Sequence, residues 1–184
     1  MKTKQVKDLM VPLKEYPTVR EDGTLLDAVF ALEKAQQSLR EGFHPHRAVL
    51  VVDNNDYVIG KIGQLAFLKA LEPGYNSFGD MQLLSKSGLS TELIDVMKEN
   101  FNFWNDSLEN ICGRAHAIPV KEVMHPFSES VDENDTLTEA IHAIIMGQTL
   151  SLLVRKGQKI TGIIRLSDLF SEITSTISNL TNQE

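Results

Sequence analysis

Apolar residues recur at Leu25, Ala28, Val29 and Leu32. That is the i, i+3, i+4, i+7 spacing of a helix with one buried face. The same face returns at Leu137, Ala140, Ile141 and Ile144. Thr136 with Glu139 forms a capping-box pattern at the head of the second helix, and Thr24 with Asp27 is a weaker version at the head of the first. Each helix is followed by a hairpin pattern. Residues 48–52 are a continuous apolar, β-branched run that ends in the turn formers Asp53-Asn54-Asn55-Asp56, and residues 57–62 supply the partner strand. The second hairpin pairs residues 150–154 with 159–164 across a turn at 155–158. Strands without polar alternation are covered on both faces, here by the helices. Short closing helices are predicted over 65–71 and 167–173, and a short extended segment at Thr18-Val19 precedes the first helix.

The pattern is therefore one unit written twice. Val6-Lys7-Asp8-Leu9-Met10 returns as Val120-Lys121-Glu122-Val123-Met124. The stretch from Arg20 through Thr24-Leu25 to Val29 returns from Asp132 through Thr136-Leu137 to Ile141, and Gly60-Lys61-Ile62-Gly63 returns as Gly162-Ile163-Ile164-Arg165. Two copies of one supersecondary unit predict two packed halves with clefts between them. The expected fold class is mixed α/β (α+β), each copy reading β-α-β-β-α, with copy one at 1–72 and copy two with its tail at 119–184. Residues 73–118 form an insertion too apolar for a disordered linker. It is expected to be helical, with one helix near 92–101 and a second near 108–117, and to cover a flank of the module or a subunit interface.

Composition narrows the function. A net charge of −7 and a pI near 5.3 speak against nucleic-acid binding, which favours a basic face. A few local cations still suffice for an anionic small ligand. Cys112 is the single cysteine, so an intramolecular disulfide is excluded and a reducing cytoplasm is the expected location. No apolar run reaches the roughly 18 residues of a membrane span, and no signal peptide is expected from the polar N-terminus.

The ordered set of repeated motifs resembles a tandem pair of CBS domains over 5–71 and 119–173. The resemblance implies a pseudo-two-fold disc in which the two hairpin sheets pack together. It also implies a regulatory, non-catalytic module, often a homodimer, that binds an adenosine-containing ligand between the copies. The ligand signature of such domains is Gly-apolar-x-Ser/Thr-x-x-Asp. Copy two reads Gly162-Ile163-Ile164-Arg165-Leu166-Ser167-Asp168, with Asp168 at the ribose position and Arg165 in place of the hydroxyl residue. Copy one has Gly63 and Ala66 at the two positions, so its site is expected to be degenerate. A carboxylate accepts two hydroxyl donors well, and a guanidinium fork suits phosphate oxygens. By position in the family pattern, Asp135 and the strand entry Gln148-Thr149-Leu150 are expected at the base end of that site. AMP, ADP, ATP and S-adenosylmethionine all offer the required adenosine. No catalytic cofactor is implied.

Each assignment has a plainer counterpart. An acid in the first turn of a helix is favoured for capping and dipole reasons alone, which covers Asp168. Arg165 could pair with Glu172 or another acid. His44-Pro45-His46 and Cys112 with His116 lack the paired spacing of a zinc site, and His46 and Arg47 are expected at the mouth of the copy-one cleft. Phe101, Phe103 and Trp104 read as core or dimer contact rather than a base-stacking platform, and the segment 85–88 reads as a turn rather than a phosphate loop. His125 and His142 fit no nucleophile–base pattern. The alternative to a ligand sensor is a structural module with degenerate sites that docks a protein partner through the insertion.

Overall fold

The computed structural model describes residues 4–39, 44–72, 74, 96, 106–126 and 130–181. Copy one contributes β2 (Thr18–Arg20), α1 (Leu25–Gln37), β3 (Ala48–Val52), β4 (Val58–Gly63) and α2 (Gln64–Leu71). Copy two contributes β6 (Ser130–Asp132), α5 (Leu137–Gly147), β7 (Ser151–Lys156), β8 (Lys159–Arg165) and α6 (Leu166–Thr181). Both capping boxes form. Thr24 Oγ1 accepts from Asp27 N and Thr136 Oγ1 from Glu139 N, each at 3.3 Å. The returning carboxylates accept from the threonine backbone N–H at 2.8 Å in both helices, so the aspartate box is as complete as the glutamate one. These bonds hold Asp27 and Glu139 below the usual carboxylate pKa range.

Two short strands complete the sheets by crossing over. β1 (Val11–Pro12), from the start of the chain, pairs antiparallel with β8 of copy two, with Val11 opposite Ile163. β5 (His125–Pro126) pairs antiparallel with β4 of copy one, with Lys61 opposite His125. The described strands therefore form two four-stranded sheets, β2-β3-β4-β5 and β1-β8-β7-β6. The repeated Val-Lys-acid segments make the same crossover. The 3₁₀ turn Val6–Asp8 donates from Val6 N to Asp135 O at 2.9 Å, and α4 (Val120–Val123) donates from Val120 N to Gly23 O at 3.0 Å. Gly162 and Gly60 lie where these crossings come closest. A Cβ at Gly162 would stand 2.5 Å from Val11 O and 3.0 Å from Met10 Sδ, and one at Gly60 would stand 3.0 Å from both His125 O and Met124 Sδ.

Strand residues divide between two faces. Val49 and Val51 pack with Leu25, Ala28 and Ala66 under the helices of copy one, while Leu152, Val154 and Ile164 pack with Ala140, Ile144 and Leu169 in copy two. Leu50, Leu153, Ile163 and Tyr16 meet between the sheets as a third core. The end of the insertion joins copy one: Ile111 of α3 (Leu108–Gly113) and Ala115 of the 3₁₀ turn Arg114–His116 are buried in its core. The Glu92–Phe101 helix (apart from helical Val96), the aromatic trio and segment 85–88 lie outside the described residues.

Two elements differ from the sequence pattern. The second hairpin closes on Gly157-Gln158 rather than on four residues, because Gly157 takes φ +60° and lets both strands run to the turn. The final helix runs to Thr181 rather than Ile173. No glycine or proline interrupts it, and Leu166, Phe170, Ile173, Ile177 and Leu180 mark an apolar stripe along its length.

Candidate functional site

Arg165 is the last residue of β8, and Asp168 lies in the first turn of α6. The sharp strand-to-helix corner turns both side chains toward copy one. They form a bidentate ion pair, with Arg165 Nε donating to Asp168 Oδ2 and Nη2 to Oδ1, both at 2.6 Å. Their side chains are only 7% and 10% exposed. Two parallel charge-assisted bonds of this length are the strong form of the interaction.

The third arm of the guanidinium reaches copy one. Nη1 donates to His44 O at 2.9 Å and to Pro45 O at 3.5 Å, and stands 3.5 Å from His46 Nδ1. His44 Nε2 is 2.6 Å from Ser171 Oγ on α6, which ties the same segment down from the other side. His46 is buried and meets the buried Tyr16 ring edge-on at 4.6 Å. Burial, with the Arg165 charge second, lowers the His46 pKa below its usual 6.5 and leaves a neutral imidazole beside the guanidinium. Burial pushes the Tyr16 phenol up to about 12, against a smaller opposing pull from Arg165.

This cluster forms one wall of a cleft of about 1120 Å³ between the copies. Met10 and Pro12 of the crossing segment, Lys34 of α1, and Lys14 also line it. Glu172 lines the cleft too, and accepts Lys4 at its rim.

The structure brings Arg165 and Asp168 together, and Asp135, Gln148, Thr149 and Leu150 do not line their cleft. Asp135 closes its own turn, accepting from Asp132 N at 2.8 Å, and does not line the cleft. Gln148 caps α5 in the left-handed region at φ 46°, and the largely exposed Leu150 accepts through its backbone O from Leu166 N at 2.9 Å. Thr149 faces copy one's signature strand: Lys61 Nζ donates to Thr149 Oγ1 at 3.2 Å and to Ser151 O at 3.1 Å. The reason is the crossover. Each signature corner faces the strand entry of the other copy, so Arg165 meets His44-Pro45-His46 while Thr149 faces Lys61 of copy one. His46 accordingly sits beside Asp168 rather than at the mouth of the copy-one cleft, and Arg165 pairs with Asp168 rather than with Glu172. Tyr16, His44 and His46 are the site residues that sequence reasoning missed. The repeat held the signal, since His46 stands two residues before β3 as Thr149 stands two before β7.

The corresponding corner of copy one is bare. Gly63 and Ala66 occupy the positions of Arg165 and Asp168, and a Cβ at Gly63 would meet no described atom within 4 Å. Lys61 lies nearby on the inter-sheet side, and burial lowers its pKa below the usual lysine value. Cys112 is exposed, His116 Nδ1 bonds to Gly113 O, and no cluster of three metal-ligating side chains occurs among the described residues.

Comparison with known proteins agrees with this architecture. A CBS domain model matches residues 6–73 and 120–175. The structure of the CBS-pair protein CBSX2 from Arabidopsis thaliana aligns with a TM-score of 0.61 at 16% identity, covering 96% of this chain and 98% of that one. CBSX2 in complex with AMP gives 0.57 at 16% identity, covering 94% and 97%. The cytosolic domain of the Mg2+ channel MgtE in complex with ATP gives 0.56 at 17% identity, covering 91% of this chain and 48% of that one. No curated protein matches the sequence. With both halves of the repeat matched by the family model and the exchanged sheets in place, the chain belongs to the CBS-domain family.

Proposed function

We propose that the protein is a regulatory module that binds an adenosine-containing ligand in the Asp168 cleft and passes the bound state to a dimer or protein partner. The observation that carries this reading is a buried carboxylate at the head of α6, on the wall of a cleft between the two copies. Asp168 accepts the ribose hydroxyls, Arg165 and the cleft lysines Lys14 and Lys34 receive phosphate, and the N-terminal turn of α6 adds the positive end of its dipole. Two similar folds hold AMP or ATP. Ligand binding shifts a two-state equilibrium only by its differential affinity for the states, so His44-Pro45-His46 and α6, which both touch the site, are the elements that carry the shift.

The exposed stripe Leu166, Phe170, Ile173, Ile177 and Leu180 on α6 is assigned to contact with a second copy. Its alternating four- and three-residue spacing is that of a two-helix seam, and a two-fold dimer is the common closed form. The reading is non-catalytic and cytoplasmic. No helix among the described residues is long and apolar enough to cross a membrane.

One observation favours a second reading. Both oxygens of Asp168 are already engaged by Arg165, as in a module that has replaced its ligand with an internal ion pair. A thermal-shift panel of AMP, ADP, ATP and S-adenosylmethionine separates the two. A ligand at 100 times its Kd adds about 2.7 kcal/mol, and Asp168→Asn, which keeps the side-chain shape, should remove that gain. A flat panel on folded wild-type protein would leave the second reading standing.

A further inference from the structure

We infer that His46 is an acid-sensitive latch between the two copies, because its ring nitrogen faces a group that can only donate hydrogen bonds. The inference concerns how the module is held closed and stands apart from the adenosine reading.

The segment His44-Pro45-His46 comes from copy one and is held by copy two. Arg165 Nη1 donates to His44 O at 2.9 Å, and His44 Nε2 lies 2.6 Å from Ser171 Oγ on α6. Protonation affects the two histidines of this segment differently. A hydroxyl both donates and accepts, so a charged His44 keeps its bond to Ser171. His46 Nδ1 stands 3.5 Å from Arg165 Nη1, and a guanidinium has donors alone and stays charged at any working pH. The contact therefore requires Nδ1 without a proton. A proton there sets N–H against N–H and cation against cation at a buried position. The groups facing the ring are Arg165 of β8, Asp168 of α6, which holds Arg165, and Tyr16 from the segment before β2. Lys14, Glu15, Lys34 and Glu172 line the same cleft. Burial and the Arg165 charge both favour the neutral imidazole, and the opposing pull of Asp168 is the smallest of the three. The Tyr16 phenol, pushed up to about 12, stays neutral throughout. Proton uptake by His46 is thus coupled to its release from Arg165. The backbone of residues 44–45 is released with it, and copy one loses its hold on the head of α6.

Backbone hydrogen exchange, corrected for the intrinsic effect of pH, tests this between about pH 7.5 and about pH 5.5. In the wild type, exchange at His46, Arg47 and the first turn of α6 should quicken by as much as about tenfold per pH unit below 6.5, while β7 and β8 keep their protection. His46→Gln offers Arg165 an amide oxygen that does not titrate, so its exchange at these positions should be flat across the range. His44→Gln removes the other imidazole and should respond as the wild type does. Wild-type exchange that is flat, or that rises equally in β7 and β8, overturns the latch. So does a rise that persists in His46→Gln or is lost in His44→Gln. Proton NMR of the wild-type imidazoles decides the matter even if a variant fails to fold. The His46 ring should titrate below 6.5, in step with the shifts of those amides, and titration at or above 6.5 overturns the inference.

Discussion

The two signature corners occupy equivalent places in the repeat and have opposite chemistry. Copy two sets a buried anion and a buried cation against each other, braced by carbonyls from copy one. Copy one presents Gly63 and Ala66, and Lys61 of its signature strand donates to hydroxyl and carbonyl partners across the module. The same backbone frame carries both, so the fold does not depend on the signature residues. What the frame does require is the glycine at each crossing and the apolar residues on the two strand faces. The ion pair at one corner alone is the difference on which the proposed copy-two site rests.

Removing one partner at the occupied corner should give the largest effect. Asp168→Ala leaves Arg165 buried beside neutral acceptors and should cost about 3–5 kcal/mol in urea unfolding. The double change Arg165→Met with Asp168→Leu should recover most of that loss. If the single variant is as stable as wild type, the pair is not desolvated as described. At the copy-one corner, Gly63→Ser adds a side chain where a Cβ would meet no described atom within 4 Å and should be nearly silent by comparison.

The crossings should rank next. Gly162→Ala forces a Cβ to within 2.5 Å of Val11 O, whereas Gly60→Ala meets its nearest atoms at 3.0 Å. Overpacking costs about 1–3 kcal/mol, and Gly162→Ala should lie at the upper end with Gly60→Ala below it. Equal unfolding midpoints for the two variants would mean that the crossings relax independently of their spacing.

The smallest effects are in the pH profile, where His46 and Lys61 act with the same sign in different windows. The His46 pKa is held below 6.5, so below that pH the unfolded chain binds more protons than the folded one. Stability should be complete above pH 6.5 and fall as pH drops through the window beneath it, and His46→Phe should flatten that slope. Lys61 is likewise depressed below 10.5, so stability should rise as pH approaches 10.5, and Lys61→Met should remove the rise. Tyr16 acts against it above pH 10, because the unfolded phenol ionises first until its folded pKa of about 12 is reached. Urea midpoints measured across pH for the three proteins separate these contributions.

Much of the frame was legible along the chain. The helical face Leu25, Ala28 and Leu32 and its counterpart Leu137, Ala140, Ile141 and Ile144 do pack into the two cores. Both capping boxes and both hairpins follow from local residue chemistry, as does the α+β class. Arg165 and Asp168 were legible as a pair of positions because they share one corner. Their mutual engagement was not, since spacing says which residues are near and not which charge satisfies which. The partners from copy one were hidden for a different reason. β1 and β5 are only two residues each, too short for a period, and their pairing is decided by tertiary packing across the module. Without that crossover, Thr149 looks like a neighbour of Asp168, when its hydroxyl is a partner of Lys61.

The exchange of edge strands also has a consequence for how the chain assembles. Val11 must find Ile163, so the first strand waits for nearly the whole polypeptide before its sheet is complete. Contacts of such separation slow folding, and neither half has a finished edge by itself. Each half instead serves as the other's last strand, which makes the module a mutual clasp. A chain cut within the insertion should therefore yield two pieces that are poorly ordered apart and recover structure when mixed.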